Sequence, residues 1–216
     1  MERKMKDTGI EWIGKIPEGW AVLPTKVLFE IYAGSTPDTD NSNYWGGDIP
    51  WVTPVDFKTQ DVYIRDGHNS LTKAGLQSCS VKCLPAGALI FSKRAPIGQV
   101  VISAKPMCTN QGCFSCRIKN DNDVKFFYYQ ASVFQPIYEM FGAGTTFKEI
   151  SGFNFSNFKL VRPPFEEQER IVSFLDSRCS KIDSMILKQR QAVETLKKYK
   201  KSLIYEYVTG KKRVEE

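Results

Sequence analysis

From residue 172 onward the apolar positions keep a regular spacing. Val172, Leu175, Cys179, Ile182, Ile186, Val193, Leu196, Leu203 and Tyr207 fall on alternating steps of three and four, and only Gln189 and Lys200 interrupt the column. This is an a/d heptad pattern. Neither Pro nor Gly occurs from Phe165 to Thr209, so one unbroken helix is predicted over 165–208. Pro163-Pro164 marks its start, and Glu166, Glu167 and Glu169 place negative charge where a helix N-terminus favours it. At 1.5 Å per residue it would run about 60 Å, longer than a domain made by the other residues is wide. Part of the apolar seam therefore needs a partner helix. No second heptad stretch occurs, so the partner is expected from another chain. Leu175, Ile182, Ile186, Gln189, Val193, Leu196 and Leu203 are the expected dimer contacts. The column leaves orientation open, although Gln189 lies near the helix midpoint, where two copies could meet in an antiparallel pair and fix register.

Before residue 163 the pattern changes to short apolar runs. Residues 1–20 hold Ile10, Trp12, Ile13, Ile16 and Trp20 around a Pro17-Glu18-Gly19 turn, the composition of a leader strapped along a domain edge. Val27, Leu28 and Ile31 give 22–33 a helix-compatible spacing. A polar, turn-rich stretch with Thr36-Pro37 and Gly46-Gly47 follows. Strands are predicted to begin at Trp51-Val52-Thr53 and at Val62-Tyr63-Ile64, with a short helix behind a Ser70 or Thr72 cap over 69–75. Four closely spaced runs, SCSVKCL, ALIFS, QVVISA and CFSCRI, predict a small antiparallel or mixed sheet that curls on itself, with Pro85-Ala86-Gly87 as a hairpin turn. Phe126, Phe127, Tyr129, Val133, Ile137 and Met140 repeat helically behind an Asn122 or Asp123 cap, as expected of one aromatic helix plugging that sheet. A Gly- and Thr-rich loop then leads to a last strand, FKLVRPP. The fold class is α/β (α+β): one domain over 1–162, a long coiled-coil helix over 165–208 and a basic tail over 209–216.

Hydrophobic residues make up 42% and charged residues 25% of the chain, which describes a folded protein, and no apolar run approaches a membrane span. A cytoplasmic protein with no membrane contact is expected. The net charge of +6 is spread along the chain, so a polyanionic partner would have to meet local clusters. Six cysteines without a secretion signal point to free thiols. Cys79-x3-Cys83 with Cys113-x2-Cys116 has the count for a thiolate zinc site. QGCFSCRI reads as a strand, however, which sends Cys113 and Cys116 to opposite faces, so no metal is expected. Catalysis finds little support: His68 is the one histidine, in a polar turn, and no nucleophile elbow, Walker loop or dinucleotide fingerprint is present. No catalytic residue and no cofactor are assigned to this chain.

Hydrogen-bonding chemistry clusters instead at strand tips. Ser92-Lys93-Arg94 ends one predicted strand, Asn110-Gln111 precedes another, and Thr145, Thr146 and Lys148 occupy the Gly-rich loop. Lys and Arg suit phosphates or guanine edges, and Asn and Gln suit adenine. Beside a helix that could hold two copies at fixed separation, these groups favour a dimeric reader of double-stranded DNA. A protein-interaction scaffold that recruits partners through the helix without reading DNA is the alternative.

Several stretches also resemble a known family. KDTGIEWIGKIPEGWAVLPTKVLFEIYAGSTP, GGDIPWVTPVDF, PAGALIFSKRAPIGQVVISAKPMCTNQGCFSCRI and the joint PPFEEQERIVSFLDSRCSKID, followed by LIYEYVTG, are similar to the specificity (S) subunit of type I restriction-modification systems. The resemblance implies a target recognition domain at 1–162 and a spacer helix at 165–208. It also implies a non-catalytic role in positioning a modification subunit that methylates adenine with S-adenosylmethionine, and a restriction subunit that cleaves. The usual family chain has two recognition domains and two antiparallel spacer helices. One of each here implies a half-length form that works as a homodimer and reads an interrupted palindrome. Recognition loops vary with the target, so the family lends no base-reading residues.

Overall fold

A computed structural model of the chain describes residues 3–57, 62–94, 96–119, 121–144 and 148–214. Thr145 and Thr146 lie outside the described residues. The chain divides into two compact units, Met1–Glu169 and Arg170–Glu216.

In the first unit, β1 (Met5–Asp7) and β2 (Lys15–Pro17) form a hairpin, and β3 (Ala21–Pro24) follows. The expected helix over 22–33 is instead a single turn, α1 (Thr25–Leu28), between two strands, because β4 (Phe29–Ala33) is taken up as a sheet edge. Tertiary pairing overrides a weak local spacing here. Next come β5 (Trp45–Val52), β6 (Tyr63–Ile64) and β7 (Asn69–Leu71); β5 ends at the tryptophan-valine pair with which it was expected to begin. Helix α2 (Lys73–Gln77) is capped by Thr72, whose hydroxyl accepts from the Gly75 amide at 3.0 Å. The SCSVKCL run forms no regular strand; only Leu84 pairs, with Met107. Then follow β8 (Leu89–Ser92), β9 (Val100–Ser103), β10 (Cys108–Thr109) and β11 (Cys113–Ile118).

Five strands make the main sheet in the order β4-β11-β8-β9-β6, antiparallel except where β6 joins β9 in parallel. A second sheet has the order β10-β5-β7. Their apolar faces build the core: Val52, Ile90, Val101, Met107 and Cys113 form one buried cluster, and Trp51, Leu71, Val81 and Cys108 another.

The expected aromatic helix is two: α3 (Val124–Val133), capped by Asp123, and α4 (Gln135–Met140). Pro136 sits in the first turn of α4, where a missing N–H costs nothing, and so the chain restarts there rather than continuing. Phe126, Phe127 and Tyr138 are buried, with Phe127 edge-on to Phe29 and Tyr138 edge-on to Phe91. Val133 and Met140 are exposed. After β12 (Gly142–Ala143) and β13 (Glu149–Ile150), the loop expected to run to the last strand contains a helix, α5 (Gly152–Asn157), which buries Phe155 against Phe91 and Phe114. β14 (Lys159–Arg162) pairs with β3, and its other edge is closed by the Gln130 side-chain amide, which accepts from Val161 N–H at 2.9 Å and donates to Val161 C=O at 3.1 Å.

Helix α6 runs from Phe165 to Val208, the predicted bounds. Its first turns belong to the first unit and are anchored by two residues of the PPFEEQ joint. Glu167 accepts from the Trp20 indole N–H at 2.8 Å and pairs with Arg3. Gln168, fully buried, accepts from Asp123 N–H and donates to Pro163 C=O, both at 2.9 Å. The second unit is the remainder of α6 with the C-terminal turn after it. From Ile182 on, its heptad positions are exposed: Ile182 is 54% exposed, Ile186 42%, Val193 48% and Leu196 65%. Among the described residues, no helix is long and apolar enough to cross a membrane.

Candidate nucleic-acid interface

The ends of β4, β5, β8 and β10 converge at one edge of the first unit, brought there by backbone contacts that admit little variation. Gly34, just past β4, lies so close to the chain at 109–110 that an added Cβ would be 1.9 Å from the Asn110 carbonyl oxygen. Asn110 Oδ1 accepts from the Gly112 amide at 2.9 Å, closing a tight turn. Gly112 in turn lies against Pro54, beyond β5, and its carbonyl accepts from Lys93 N–H at 2.8 Å. The polar loops after the four strands are thus stitched side by side.

Within this edge, Gln111 is exposed and its Oε1 accepts from the Thr36 hydroxyl. Lys93 and Arg94 share one carboxylate: Lys93 Nζ is 2.7 Å and Arg94 Nη1 3.2 Å from the two oxygens of Glu149. The Lys93 ammonium also stands over the Phe114 ring, 4.9 Å from its centroid. Glu149 reaches them because Arg94 pairs with it as a β-bridge, which continues the β8 line toward β13. Two cations against one anion leave the cluster with a single positive excess and a rigid arrangement of donors. Ser92 is placed differently. It is fully buried; its hydroxyl donates to Pro96 C=O at 2.6 Å and accepts from Gln99 N–H at 2.9 Å, so it shapes the turn that presents Lys93 and Arg94. Lys148 is exposed beside Glu149.

Glu149 and Thr36 carry no local signal that ties them to this edge: Glu149 is an acid among basic neighbours, and Thr36 gains meaning only when β4 meets the 109–112 turn. The His68 ring is exposed, and its Nδ1 and backbone N–H both engage Asp56. Burial pushes the Asp56 carboxyl up. The His68 ring, the N–H groups of Thr53 and His68 and the Thr53 hydroxyl outweigh this and hold it below the usual carboxylate range. Asp56 therefore fastens the loops after β5 and before β7 and is tied up structurally. Among the described residues no cluster of three metal-ligating side chains occurs, and Cys113 and Cys116 are both buried inside the fold.

The chain belongs to the family of type I restriction modification DNA specificity domains, whose profile matches residues 17–203. It is 34% identical over 200 residues to the type I restriction enzyme MjaIX specificity subunit of Methanocaldococcus jannaschii, covering 91% of this chain and 45% of that protein. It is 27% identical over 172 residues to the HindI specificity subunit of Haemophilus influenzae, covering 76% of this chain and 37% of that one. The chain thus spans about half the length of the curated relatives it matches. The fold recurs in a solved type I restriction-modification system (TM-score 0.75, 22% identity, 94% of this chain and 48% of that chain). It recurs also in the HsdS subunit from Thermoanaerobacter tengcongensis (TM-score 0.65, 21% identity, 83% and 41%).

Proposed function

We propose that this chain is a non-catalytic recognition half of a type I restriction-modification enzyme, and that it reads double-stranded DNA through the loops gathered at the strand-end edge. Lys93, Arg94 and Lys148 contact phosphates or guanine edges there, while Asn110, Gln111, Thr145 and Thr146 make polar base contacts; Ser92 holds the turn from within. The chain acts with a modification subunit, which would bring S-adenosylmethionine and methylate adenine, and with a restriction subunit. The observation that carries the reading is the convergence of four strand ends into one polar edge, with Lys93, Arg94 and Lys148 among its side chains, in a chain of this family.

Two copies pair through the apolar seam of α6, at Leu175, Ile182, Ile186, Gln189, Val193, Leu196 and Leu203, of which those from Ile182 on are exposed. The helix supports an antiparallel arrangement. Asp176 and Asp183 lie in its first half and Lys197, Lys198, Lys200 and Lys201 in its second, so antiparallel copies set acid against base. Identical readers related by a twofold axis then take an interrupted palindrome. Selection from random duplex oligonucleotides, with the chain in complex with its modification subunit, tests this. Inverted half-sites across an unread gap are expected. A single asymmetric half-site would remove the palindrome, and no enrichment at all would remove DNA reading and favour the scaffold.

A further inference from the structure

Three of the six cysteines meet at one place that the DNA-reading edge does not use. Cys108 is fully buried in the cluster with Trp51, Leu71 and Val81, and Cys79 packs against that cluster, its thiol 3.8 Å from the Gly75 carbonyl. Cys83 is exposed. The backbone fixes how Cys83 and Cys108 face each other. Leu84 and Met107 exchange both hydrogen bonds, at 3.0 and 3.1 Å, as an antiparallel bridge. Cys83 and Cys108 are the residues next to that isolated bridge on one side, where extending the pairing by one step sets them opposite each other as a non-hydrogen-bonded pair with Cα atoms about 4.5 Å apart. That separation lies inside the range a disulfide spans. Cys83, followed by Cys79, is close enough to the Cys108 thiol to act on it electrostatically.

We propose that Cys83 and Cys108 form an oxidative modification site, a cross-strand dithiol that hydrogen peroxide converts to a disulfide. Peroxide takes two electrons from the exposed Cys83 sulfur, giving its sulfenic acid and one water. The Cys108 sulfur then attacks the Cys83 sulfur, the S–S bond forms, and hydroxide leaves with the Cys108 proton as a second water. A cellular dithiol reverses the bond by exchange. Burial, followed by the neighbouring Cys83, pushes the Cys108 thiol well above the ordinary thiol range, which keeps it protonated and unreactive until the sulfenic acid forms beside it. The bond would tie the segment before β8 to the strand whose next residues are Asn110 and Gln111.

The test is peroxide treatment of the full chain, followed by thiol titration and non-reducing peptide mapping. Titratable thiols should fall from six to four, a Cys83–Cys108 linked peptide should appear, and dithiothreitol should restore all six. The linked form should melt about 5 °C higher, since the bond closes a loop in the unfolded chain. Cys83→Ser, at an exposed position, should fold normally and abolish the linkage, while Cys79→Ser should leave it intact. A linkage through Cys79, a bond between Cys83 residues of two copies, or a Cys83 sulfenic acid that persists without linkage would each overturn the proposal.

Discussion

Replacing Gln168 by leucine keeps the side-chain volume but removes both of its hydrogen-bonding ends. In the native fold its carboxamide accepts from Asp123 N–H and donates to Pro163 C=O, each at 2.9 Å, with no solvent exposure. Leucine leaves one buried donor and one buried acceptor unpaired at a site that water does not reach. Each such group costs about 1–3 kcal/mol, so the substitution should remove about 2–6 kcal/mol from the first unit. That is a large share of the roughly 5–15 kcal/mol by which domains are stable. With a urea slope of about 2 kcal/mol per molar, the midpoint should fall by about 1–3 M. All four tryptophans, Trp12, Trp20, Trp45 and Trp51, lie in the first unit, so their fluorescence reports its unfolding without interference from the rest of α6. Gln168→Glu keeps an acceptor for Asp123 N–H but sets a carboxylate against the Pro163 carbonyl, and should also destabilise. A midpoint shift under about 0.3 M for Gln168→Leu would refute the argument, because the two backbone groups would then have found other partners.

On the proposed pairing through α6, the native chain should scatter light as a dimer and Ile186→Asp with Val193→Asp as a monomer, while tryptophan fluorescence of the first unit stays native, since both positions are exposed in the isolated chain; a dimer that persists in the double variant would place the seam elsewhere. Lys93→Ala with Arg94→Ala should weaken duplex binding and make the log–log salt dependence shallower by about 2, one for each lost phosphate contact. Glu149→Gln, which frees both cations, should strengthen binding to unrelated sequences; unchanged affinity in both variants would move the interface away from this edge. Asp56 has a folded-state pKa below its unfolded value of about 4. Its contribution is therefore complete above that pH and is lost as pH falls through the lower, folded value. The stability gap between the native chain and Asp56→Asn should hold steady from pH 7 to about 5 and shrink below about 4, and a gap that widens on acidification would contradict the hydrogen-bonding scheme.

What the sequence determined by itself was everything set by neighbours along the chain. The 3–4 spacing and the run free of Pro and Gly placed α6 at 165–208, because helix geometry repeats within two turns and needs no distant partner. Each cap was legible to within two candidates for the same reason, Ser70 or Thr72 and Asn122 or Asp123, since the cap that forms, Thr72 or Asp123, bonds an amide two or three residues on. The runs LIFS, VVIS and CFSCRI were legible as strands from their apolar, β-branched and aromatic content. Tertiary structure decided what depends on pairing across long separations. Phe29–Ala33 is a strand because β11 offers it an open edge, and its own spacing is equally suited to a helix. Ser92 and Arg94 are near neighbours with the same local signal, yet one is buried in a turn and the other reaches Glu149, 55 residues away. The EQ pair of the helix joint was recognisable as a motif, but its physical purpose appears only when the fold brings Trp20, Asp123 and Pro163 around it. Local periodicity specifies which face of an element is apolar; which buried polar group meets which partner is a property of the closed chain.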